Sequence, residues 1–375
     1  MSPIPIVYVI DSMGRGGTEL QLAGLIARLD RRRFAPSLVT LRHFDPGVLP
    51  ADCPHTHLGT GSFVSPRTLA AVGSLARRLR RDRTAIVQTY FQDGTIFGGA
   101  AARLAGTPVR IASFRDMGFW RTPGKEFVLR RIYAATTGFV ANSPAVRDDF
   151  CRRDGLDPAH VTVIPNGIEV ERIAFSPPRE KPVVVGIVGN LNRPVKRIDL
   201  FIEAAGALHR DHPQARWEIV GDGPLRPQLE GRARALGLGA AIRFHGRVPD
   251  AAGLVTGWDV GVLCSDSEGF SNALLEYMLA GAAVVATDVG GNTEAIDHGS
   301  TGLLVPAGDA DALAAAIGTL LADGTLAGRL ALAAAAAARG RYAWARCVEA
   351  HEELYAQLLA DAEPERRIRT SSPDR

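Results

Sequence analysis

The sequence predicts an α/β protein with two domains of similar size, each built on a parallel sheet. Short apolar runs typical of buried strands alternate with helical patterns, beginning with Ile4–Ile10 and the helical run that starts at Thr18. The alternation stops at the Pro-rich, charged segment 175–182, and a second series of the same kind follows it. A chain of 375 residues that is 46% hydrophobic is long enough for two packed cores.

The predicted strands fall into two groups of six. In the first half they are IPIVYVI, APSLVTL, AIVQTY, VRIAS, GFVAN and VTVIPN. In the second half they are VVVGIVGNL, RWEIVGDG, IRFHGRV, DVGVLCS, AAVVATDV and GLLVPAG. We therefore place the domains at 1–178 and 179–340. A C-terminal helix at 341–361, which could cross back to the first domain, and a disordered tail at 362–375 complete the prediction.

Composition excludes several classes of protein. A net charge of +3 is no nucleic-acid signature, and the four scattered cysteines predict neither a zinc site nor disulfides. With no signal peptide and no apolar run long enough to span a bilayer, we expect a cytoplasmic protein. The basic runs RLDRRRF and SLARRLRRDRT indicate either solvated helix faces or a peripheral contact with anionic lipid at the inner face of the membrane.

A glycine-rich loop follows the first strand. Gly14, Gly16 and Gly17 permit a tight turn, and Thr18 can cap the helix that follows. The exposed N–H groups at such a helix start suit phosphate or another anion. A dinucleotide fingerprint would need a third glycine where Glu19 stands, so binding of NAD is not predicted. A plain glycine-built turn is the alternative.

A basic loop follows the first strand of the second half. Asn192, Arg193, Lys196 and Arg197 precede an amphipathic helix, although the helix dipole disfavours positive charge at that end. A diphosphate would offset this cost and suits both side-chain types. The alternative is a set of surface charges with Asp199 as partner.

Two glutamates bracket a predicted helix start in the stretch DSEGFSNALLE. Ser271 or Asn272 is the natural N-cap and Gly281 ends the helix, so Glu268 lies in the loop and Glu276 one turn inside the helix. Carboxylates are strong acceptors for the vicinal hydroxyls of sugars. The alternative is a loop acid beside a helix-dipole acid, without a ligand.

The stretches EGFSNALLEYMLAG, VVATDVGGNTEAI and GLLVPAGDADALAAAI resemble family 4 of the retaining, nucleotide-sugar-dependent glycosyltransferases. The resemblance covers about residues 4–360 and implies the GT-B fold, in which two Rossmann-like domains face each other across a cleft. It implies a hexosyltransferase (EC 2.4) acting on a glycan, lipid-linked or small-molecule acceptor, in cell-surface polysaccharide or glycoconjugate synthesis. The nucleotide-sugar donor is then a substrate, and neither a cofactor nor a metal is expected.

Carried over residue by residue, the resemblance assigns the donor site. Glu276 would bind the ribose and Glu268 the donor sugar. Backbone N–H groups would meet the sugar or the distal phosphate, and they belong to Gly269, Phe270, Ser271 and Asn272.

The diphosphate site departs in part from the family pattern. Lys196 matches the family lysine, but the family arginine falls on Asn190, and Arg193 is our candidate to supply its charge. Lys196, Arg193 and Glu268 are thus the residues assigned to catalysis. The base is expected against the loop at Arg247 and Val248.

In the first domain, Gly16 and Gly17 match the family's phosphate and acceptor loop. Many members carry a histidine near the reacting centre, and here Arg115 and Asp116 stand in that place. The segments FQDGTIFGG and RDMGFWRTPGKEF are expected to read the acceptor. Because the family arginine and histidine are missing, a catalytically weak binding partner and a sugar-nucleotide epimerase of the same fold remain alternatives.

Overall fold

The computed structural model describes residues 2–60, 65–118, 121, 123–181, 183–248 and 250–370. The chain divides into two compact units. Unit 1 contains residues up to Gly167 and the chain from Ala345 onward, and unit 2 is Ile168–Trp344. Each unit is an all-parallel sheet with helices, so the predicted α/β class with two parallel sheets is confirmed.

The elements follow one another in strict alternation over most of the chain. The strands are β1 (Ile4–Met13), β2 (Phe34–Phe44), β3 (His55–His57), β4 (Ile86–Tyr90), β5 (Val109–Phe114), β6 (Gly138–Ala141), β7 (Val161–Val163), β8 (Val184–Val188), β9 (Arg216–Val220), β10 (Ile242–Gly246), β11 (Val260–Leu263), β12 (Ala283–Thr287) and β13 (Leu303–Val305). The helices are α1 (Gly17–Arg28), α2 (Pro66–Arg81), α3 (Gln92–Ala105), α4 (Pro123–Tyr133), α5 (Pro144–Asp154), α6 (Ile198–Leu208), α7 (Arg226–Ala235), α8 (Ala251–Val255), α9 (Asn272–Ala280), α10 (Asn292–Ala295), α11 (Ala310–Ala322), α12 (Gly324–Tyr342) and α13 (Trp344–Thr370). Of the described strands, only β3 was not predicted, because His55–His57 has no apolar run.

Both sheets reverse their strand order beside their first strand. Within the described residues the order is β3-β2-β1-β4-β5-β6-β7 in unit 1 and β10-β9-β8-β11-β12-β13 in unit 2. Ligands of open parallel sheets bind outside the carboxyl ends of the strands at such a reversal. This geometry therefore marks two loci, at β1/β4 in unit 1 and at β8/β11 in unit 2.

The Pro-rich segment 175–182, predicted as the linker, belongs to unit 2, and the division lies at Gly167/Ile168 instead of near residue 179. The backbone N–H of Ser176 donates to the carbonyl of Ala280 at 2.8 Å. The Asp259 carboxylate accepts from the N–H of Arg179 at 2.8 Å and from the Arg179 guanidinium at 2.5 Å. These hydrogen bonds hold in place a segment whose Pro-rich, charged composition predicted a linker.

Helix α13 groups with unit 1 from Ala345 onward. Its buried Tyr355 hydroxyl lies 3.0 Å from the hydroxyl of Tyr8 on β1, and Glu352 accepts from the Arg33 guanidinium at 2.6 Å. The helix reaches Thr370, nine residues beyond the predicted end at 361, in place of the expected disordered start of the tail. Glu and Arg, which dominate this stretch, are good helix formers. Residues 371–375 lie outside the described residues.

The Ala-rich tract that follows Leu330 lies in α12 and packs in the interior of unit 2. Its buried members are Leu330, Ala331, Ala334, Ala335 and Ala338. Among the described helices, none alone has the length and apolar character to cross a membrane. By those two criteria only, the pair α11 and α12, bent by 103° at their junction, could do so.

Asp259 gives a test of the packing around the start of β8. Its side chain is 2% exposed, and it accepts from the N–H groups of Val183 and Val184, each at 2.9 Å, besides its bonds to Arg179. We expect Asp259→Asn to lower the free energy of unfolding by about 3 kcal/mol, because the amide places a donor against donors and removes the buried charge. Asp211→Asn, at an exposed aspartate, is the matched control. Equal urea midpoints for the two variants would contradict this account.

Candidate functional site

The glycine loops after β8 and β9 contact each other, and Lys196 follows directly after this contact. The N–H of Gly189 donates to the carbonyl of Val220 at 2.9 Å, and the N–H of Leu191 donates to the carbonyl of Asp222 at 3.1 Å. A Cβ at Gly221, whose φ is +137°, would overlap the carbonyl of Gly189. The loop after β9 therefore supports its neighbour. Lys196 closes a short 3₁₀ turn, Pro194–Lys196, directly after this contact.

The loop after β11 contacts Lys196 directly. The Lys196 ammonium lies 2.5 Å from Oε1 of Glu268, and the Ser265 hydroxyl donates to the same oxygen at 2.6 Å. The N–H of Asp266 donates to the carbonyl of Val195 at 2.9 Å, which joins the two loops through their backbones as well. The Glu268 side chain is 9% exposed and that of Lys196 28%, so the ion pair lies at the edge of the interior. It therefore flanks the β8/β11 reversal.

Arg197 has a different role from Lys196. Its guanidinium pairs with Asp199 at 3.1 Å and with Asp266 at 3.0 Å, and the hydrogen bonds to Asp199 raise its pKa further above the usual value. The alternative of a surface charge paired with Asp199 thus describes Arg197. Arg193 and Asn190 are both exposed, on the same stretch of chain as Lys196.

Helix α9 begins and ends as predicted. The Ser271 hydroxyl accepts from the N–H of Leu274 at 3.4 Å, and Gly281 ends the helix in the left-handed conformation with a φ of +90°. The N–H groups of Gly269 and Ser271, just before the helix, have no hydrogen-bond partner within the described part of the chain. Free N–H groups at a helix start are suited to an anion.

The glycine pair after β12 supports the loop that carries Glu268. A Cβ at Gly290, whose φ is +49°, would overlap the carbonyl of Glu268, and one at Gly291 would overlap the carbonyl of Gly269. The N–H of Gly291 donates to the carbonyl of Glu268 at 3.4 Å. The glycines therefore allow the two loops to approach closely, which fixes where Glu268 and the start of α9 lie.

Glu276 lies one turn inside α9 and is half-buried. No hydrogen bond or ion pair to it is found among the described residues. Burial is the main cause that raises its pKa to about 7, with a smaller contribution from Asp250, while Arg172 lowers it. Asp250 follows Arg247 and Val248 in the loop after β10, so this loop lies within electrostatic reach of Glu276. Arg247 is exposed and Val248 is half-buried.

The site residues predicted in unit 1 lie at the start of α1 and in the segment after β5. Gly16 is the N-cap of α1 and Gly17 its first residue, so Thr18 lies inside the helix and is not its cap. The Arg115 guanidinium donates to Oδ1 of Asn166 at 2.5 Å, and burial lowers its pKa. Asp116 accepts from the N–H of Gly118 at 2.7 Å, which closes its own turn.

A second charged cluster, which was not predicted, lies at the β1/β4 reversal of unit 1. Its members are Asp11, Arg42, Asp93 and Lys125. Arg42 and Asp93 are 51 residues apart in sequence, so only the folded sheet brings the cluster together. The available signal was that Asp11 lies close to the end of β1 and Asp93 in the first turn of the helix after β4. No group of three or more His, Cys, Asp or Glu among the described residues is arranged to hold a metal ion.

Comparison with known sequences gives two family matches and several relatives. The family described as "Glycosyltransferase Family 4" matches residues 15–172, and "Glycosyl transferases group 1" matches residues 182–323. The lipopolysaccharide core biosynthesis glycosyltransferase LpsE of Rhizobium meliloti is 32% identical over 263 residues, covering 69% of each chain. The D-inositol 3-phosphate glycosyltransferase of Kineococcus radiotolerans is 32% identical over 268 residues, which are 63% of this chain but only 61% of that relative.

Solved structures show the same fold. HepE of Anabaena, in a complex with UDP, superposes with a TM-score of 0.83 at 22% identity, covering 94% of this chain and 100% of that one. The predicted GT-B class with Rossmann-like parallel sheets is thereby confirmed. With both family matches and the likeness to LpsE, the chain belongs to the family 4, group 1 glycosyltransferases.

Proposed function

We propose that this glycosyltransferase moves a hexose from a nucleoside diphosphate sugar to an acceptor with retention of configuration. One observation carries the proposal: Lys196, Glu268 and Glu276 lie on the loops and helix of one strand-order reversal, and in the described part of the chain the Glu276 carboxylate has no partner. HepE, whose fold is the same, has been solved with UDP and with UDP-glucose. That supports a donor of this class for the present chain.

The donor is proposed to lie along helix α9. Its ribose hydroxyls bind the Glu276 carboxylate, which has no partner among the described residues, and its base lies against Arg247 and Val248. The sugar hydroxyls bind Glu268. The distal phosphate lies at the N–H groups before the helix, which belong to Gly269, Phe270, Ser271 and Asn272.

Lys196 is proposed to stabilise the leaving diphosphate. Negative charge grows there as the bond to the sugar breaks, and a positioned cation in a partly buried site stabilises it without a metal. The dipole at the start of α9 acts in the same direction. Arg193 is proposed to add the charge that Asn190 lacks, since its exposed side chain is on the same loop.

The acceptor is proposed to be bound by residues of unit 1. We propose a glycan, lipid-linked or small-molecule acceptor, in cell-surface polysaccharide or glycoconjugate synthesis at the cytoplasmic side. Gly16 and Gly17, at the N-terminus of α1, are proposed to approach phosphate or acceptor. Arg115 and Asp116 are proposed to shape the same region, and their turn is already fixed by internal hydrogen bonds.

Replacing Lys196 tests the leaving-group role. We expect Lys196→Ala to lower kcat/KM for sugar transfer or donor hydrolysis by about a hundredfold or more, because a positioned charge on the leaving group is lost. The matched control is Lys181→Ala, at an exposed lysine. Unchanged turnover by Lys196→Ala would remove the proposed role.

The same transfer assay distinguishes a glycosyltransferase from a non-catalytic binding partner and from an epimerase. Nucleotide binding by the wild type without turnover over a broad acceptor panel would favour a non-catalytic partner. Release of free, epimerised sugar without any acceptor would favour an epimerase.

Donor binding should depend on pH through Glu276. Its pKa of about 7 means that the carboxylate is largely protonated below neutrality and then accepts hydroxyl hydrogen bonds poorly. We expect the Kd of UDP-glucose to rise by up to roughly tenfold from about pH 8 to about pH 6. The diphosphate diester itself does not titrate in this range. At the higher pH, Glu276→Gln should have a larger Kd than the wild type, and the Kd of this variant should be nearly independent of pH. Calorimetric titration of both proteins measures this, and an unchanged slope in the variant would contradict the assignment.

Helix α2 is the element that we propose contacts the membrane. In the run RLDRRRF, the three consecutive arginines each pair with an acid, Asp52, Asp30 and Glu352 in turn. On α2, the exposed residues include Arg77, Arg80 and Leu69, which is 70% exposed. A basic face with an apolar residue suits an anionic bilayer surface.

Vesicle flotation at low salt tests this contact. With vesicles of equal parts phosphatidylserine and phosphatidylcholine, we expect the double variant Arg77→Gln, Arg80→Gln to bind at least about fivefold less than the wild type. The matched control is Arg32→Gln with Arg152→Gln, which removes two exposed charges elsewhere on unit 1. Equal loss in both double variants, or no binding by the wild type, would refute a contact through α2.

A further inference from the structure

Arg197 combines two locally unfavourable features directly after Lys196. Its backbone is left-handed, with a φ of +48° and a ψ of +43°, a conformation that is strained for a residue with a Cβ. It is also a cation at the start of α6, where the helix dipole disfavours positive charge. Among the described residues of unit 2, no other residue with a side chain has a positive φ. Because glycine would avoid both costs, an arginine at this position indicates a functional constraint.

The backbone of Arg197 joins the turn of Lys196 to α6. Its N–H donates to the carbonyl of Pro194 at 2.8 Å, which closes the 3₁₀ turn that ends in Lys196. Its own carbonyl accepts from the N–H of Leu200, in the first turn of α6, at 3.0 Å. The buried thiol of Cys264, directly after β11, donates to the same carbonyl at 3.1 Å. The direction of the chain at Arg197 therefore determines where Lys196 lies.

The Arg197 side chain connects this turn to the loop that carries Glu268. Its guanidinium spans two carboxylates, that of Asp199 at 3.1 Å and that of Asp266 at 3.0 Å. Asp199 is only two residues away in sequence, whereas Asp266 is 69 residues away and lies two residues before Glu268. Of the two ion pairs, only Arg197–Asp266 reaches the second half of the donor site, and we call this pair the clamp.

The clamp restrains geometry more than it adds stability. The side chains of Arg197 and Asp266 are 25% and 46% exposed, and an ion pair this close to water contributes little to the free energy of unfolding. A planar guanidinium between two carboxylates is nonetheless fixed in orientation. The N–H of Asp266 also donates to the carbonyl of Val195 at 2.9 Å. Two connections between the loops restrain a rotation that one connection alone would allow.

We propose that Arg197 is a positioning residue, which holds the Lys196 turn against Asp266 and thereby aims the Lys196 ammonium at the leaving diphosphate. Arg197 itself contacts neither donor nor acceptor, because the two carboxylates occupy its guanidinium. The proposal rests on the leaving-group role proposed for Lys196. The clamp, however, is a property of the protein alone, so it can be measured without a ligand.

Kinetics with UDP-glucose test the effect of the clamp on Lys196. We expect Arg197→Gly and Asp266→Ala each to lower kcat for donor hydrolysis by about tenfold, while KM stays within about twofold of the wild-type value. The reason is that a small displacement of Lys196 weakens a contact that matters most in the transition state, whereas the other contacts still hold the donor. Combining the two substitutions should cost no more than either alone, since both open the same clamp.

Three controls separate the clamp from a general loss of structure. Glycine adopts the left-handed conformation without strain, so Arg197→Gly should keep a thermal midpoint close to that of the wild type. Asp199→Ala removes only the local partner and should keep kcat within about twofold of the wild-type value. The double variant Arg232→Ala, Glu203→Ala removes an ion pair between α7 and α6, and it should keep the wild-type kcat.

Hydrogen exchange of the ligand-free protein measures the clamp directly. We expect a peptide covering residues 192–201 to exchange about threefold faster or more in Asp266→Ala than in the wild type, because the turn opens more often without its distant partner. The double variant at Arg232 and Glu203 should exchange at the wild-type rate in the same peptide.

Two kinetic results would overturn the proposal. The first is a kcat for Arg197→Gly and Asp266→Ala equal to that of the double-variant control. The second is an equal loss in Asp199→Ala and Asp266→Ala, which would make Arg197 a stabiliser of the start of α6. If either result accompanies a loss of turnover in Lys196→Ala, the proposed function stands while the clamp fails.

The exchange measurement decides the case in which the wild type does not turn over UDP-glucose. The proposed function then fails for this donor, and an exchange rate in Asp266→Ala equal to the control rate would overturn the clamp as well. Faster exchange in Asp266→Ala would show that the clamp holds the Lys196 turn.

Discussion

The Lys196–Glu268 ion pair is the interaction on which the donor site depends. It exists because β8 and β11 are neighbours in the sheet, although the two residues are 72 apart in sequence. The glycines at 221, 290 and 291 let two further loops, those after β9 and β12, approach closely enough to support both partners. Removing one partner from a largely buried pair leaves an uncompensated charge, so sequence, packing and chemistry are coupled at this point.

The pair also explains how a cation and a carboxylate can lie side by side in this site. Each neutralises the other, and the Ser265 hydroxyl satisfies the carboxylate further. A diphosphate competes with Glu268 for Lys196, while sugar hydroxyls offer Glu268 new donors. Glu276 has no such partner among the described residues, and burial is the main cause that raises its pKa. The two glutamates of one short stretch therefore differ in their surroundings as well as in place.

Much of this organisation could be predicted from the sequence, and the reasons for the rest are physical. Apolar runs located the strands, and Ser271 and Gly281 located α9, because these signals are local. The partner of Lys196, the fixing of segment 175–182 by Asp259, and the meeting of Asp11 with Asp93 depend on which strands become neighbours. Periodicity does not specify that order. The roles of Glu268 and Glu276 came from family resemblance, since two acids at a fixed spacing fit many structures.

The most direct test of the donor site is a crystal structure of the protein with an intact UDP-sugar. The account predicts the ribose hydroxyls on the Glu276 carboxylate, the diphosphate within hydrogen-bonding distance of the Lys196 ammonium and of the N–H groups before α9, and a Lys196–Glu268 separation longer than the present 2.5 Å. A nucleotide bound away from the β8/β11 reversal, or one that leaves both Lys196 and Glu276 without contact, would contradict the central claim.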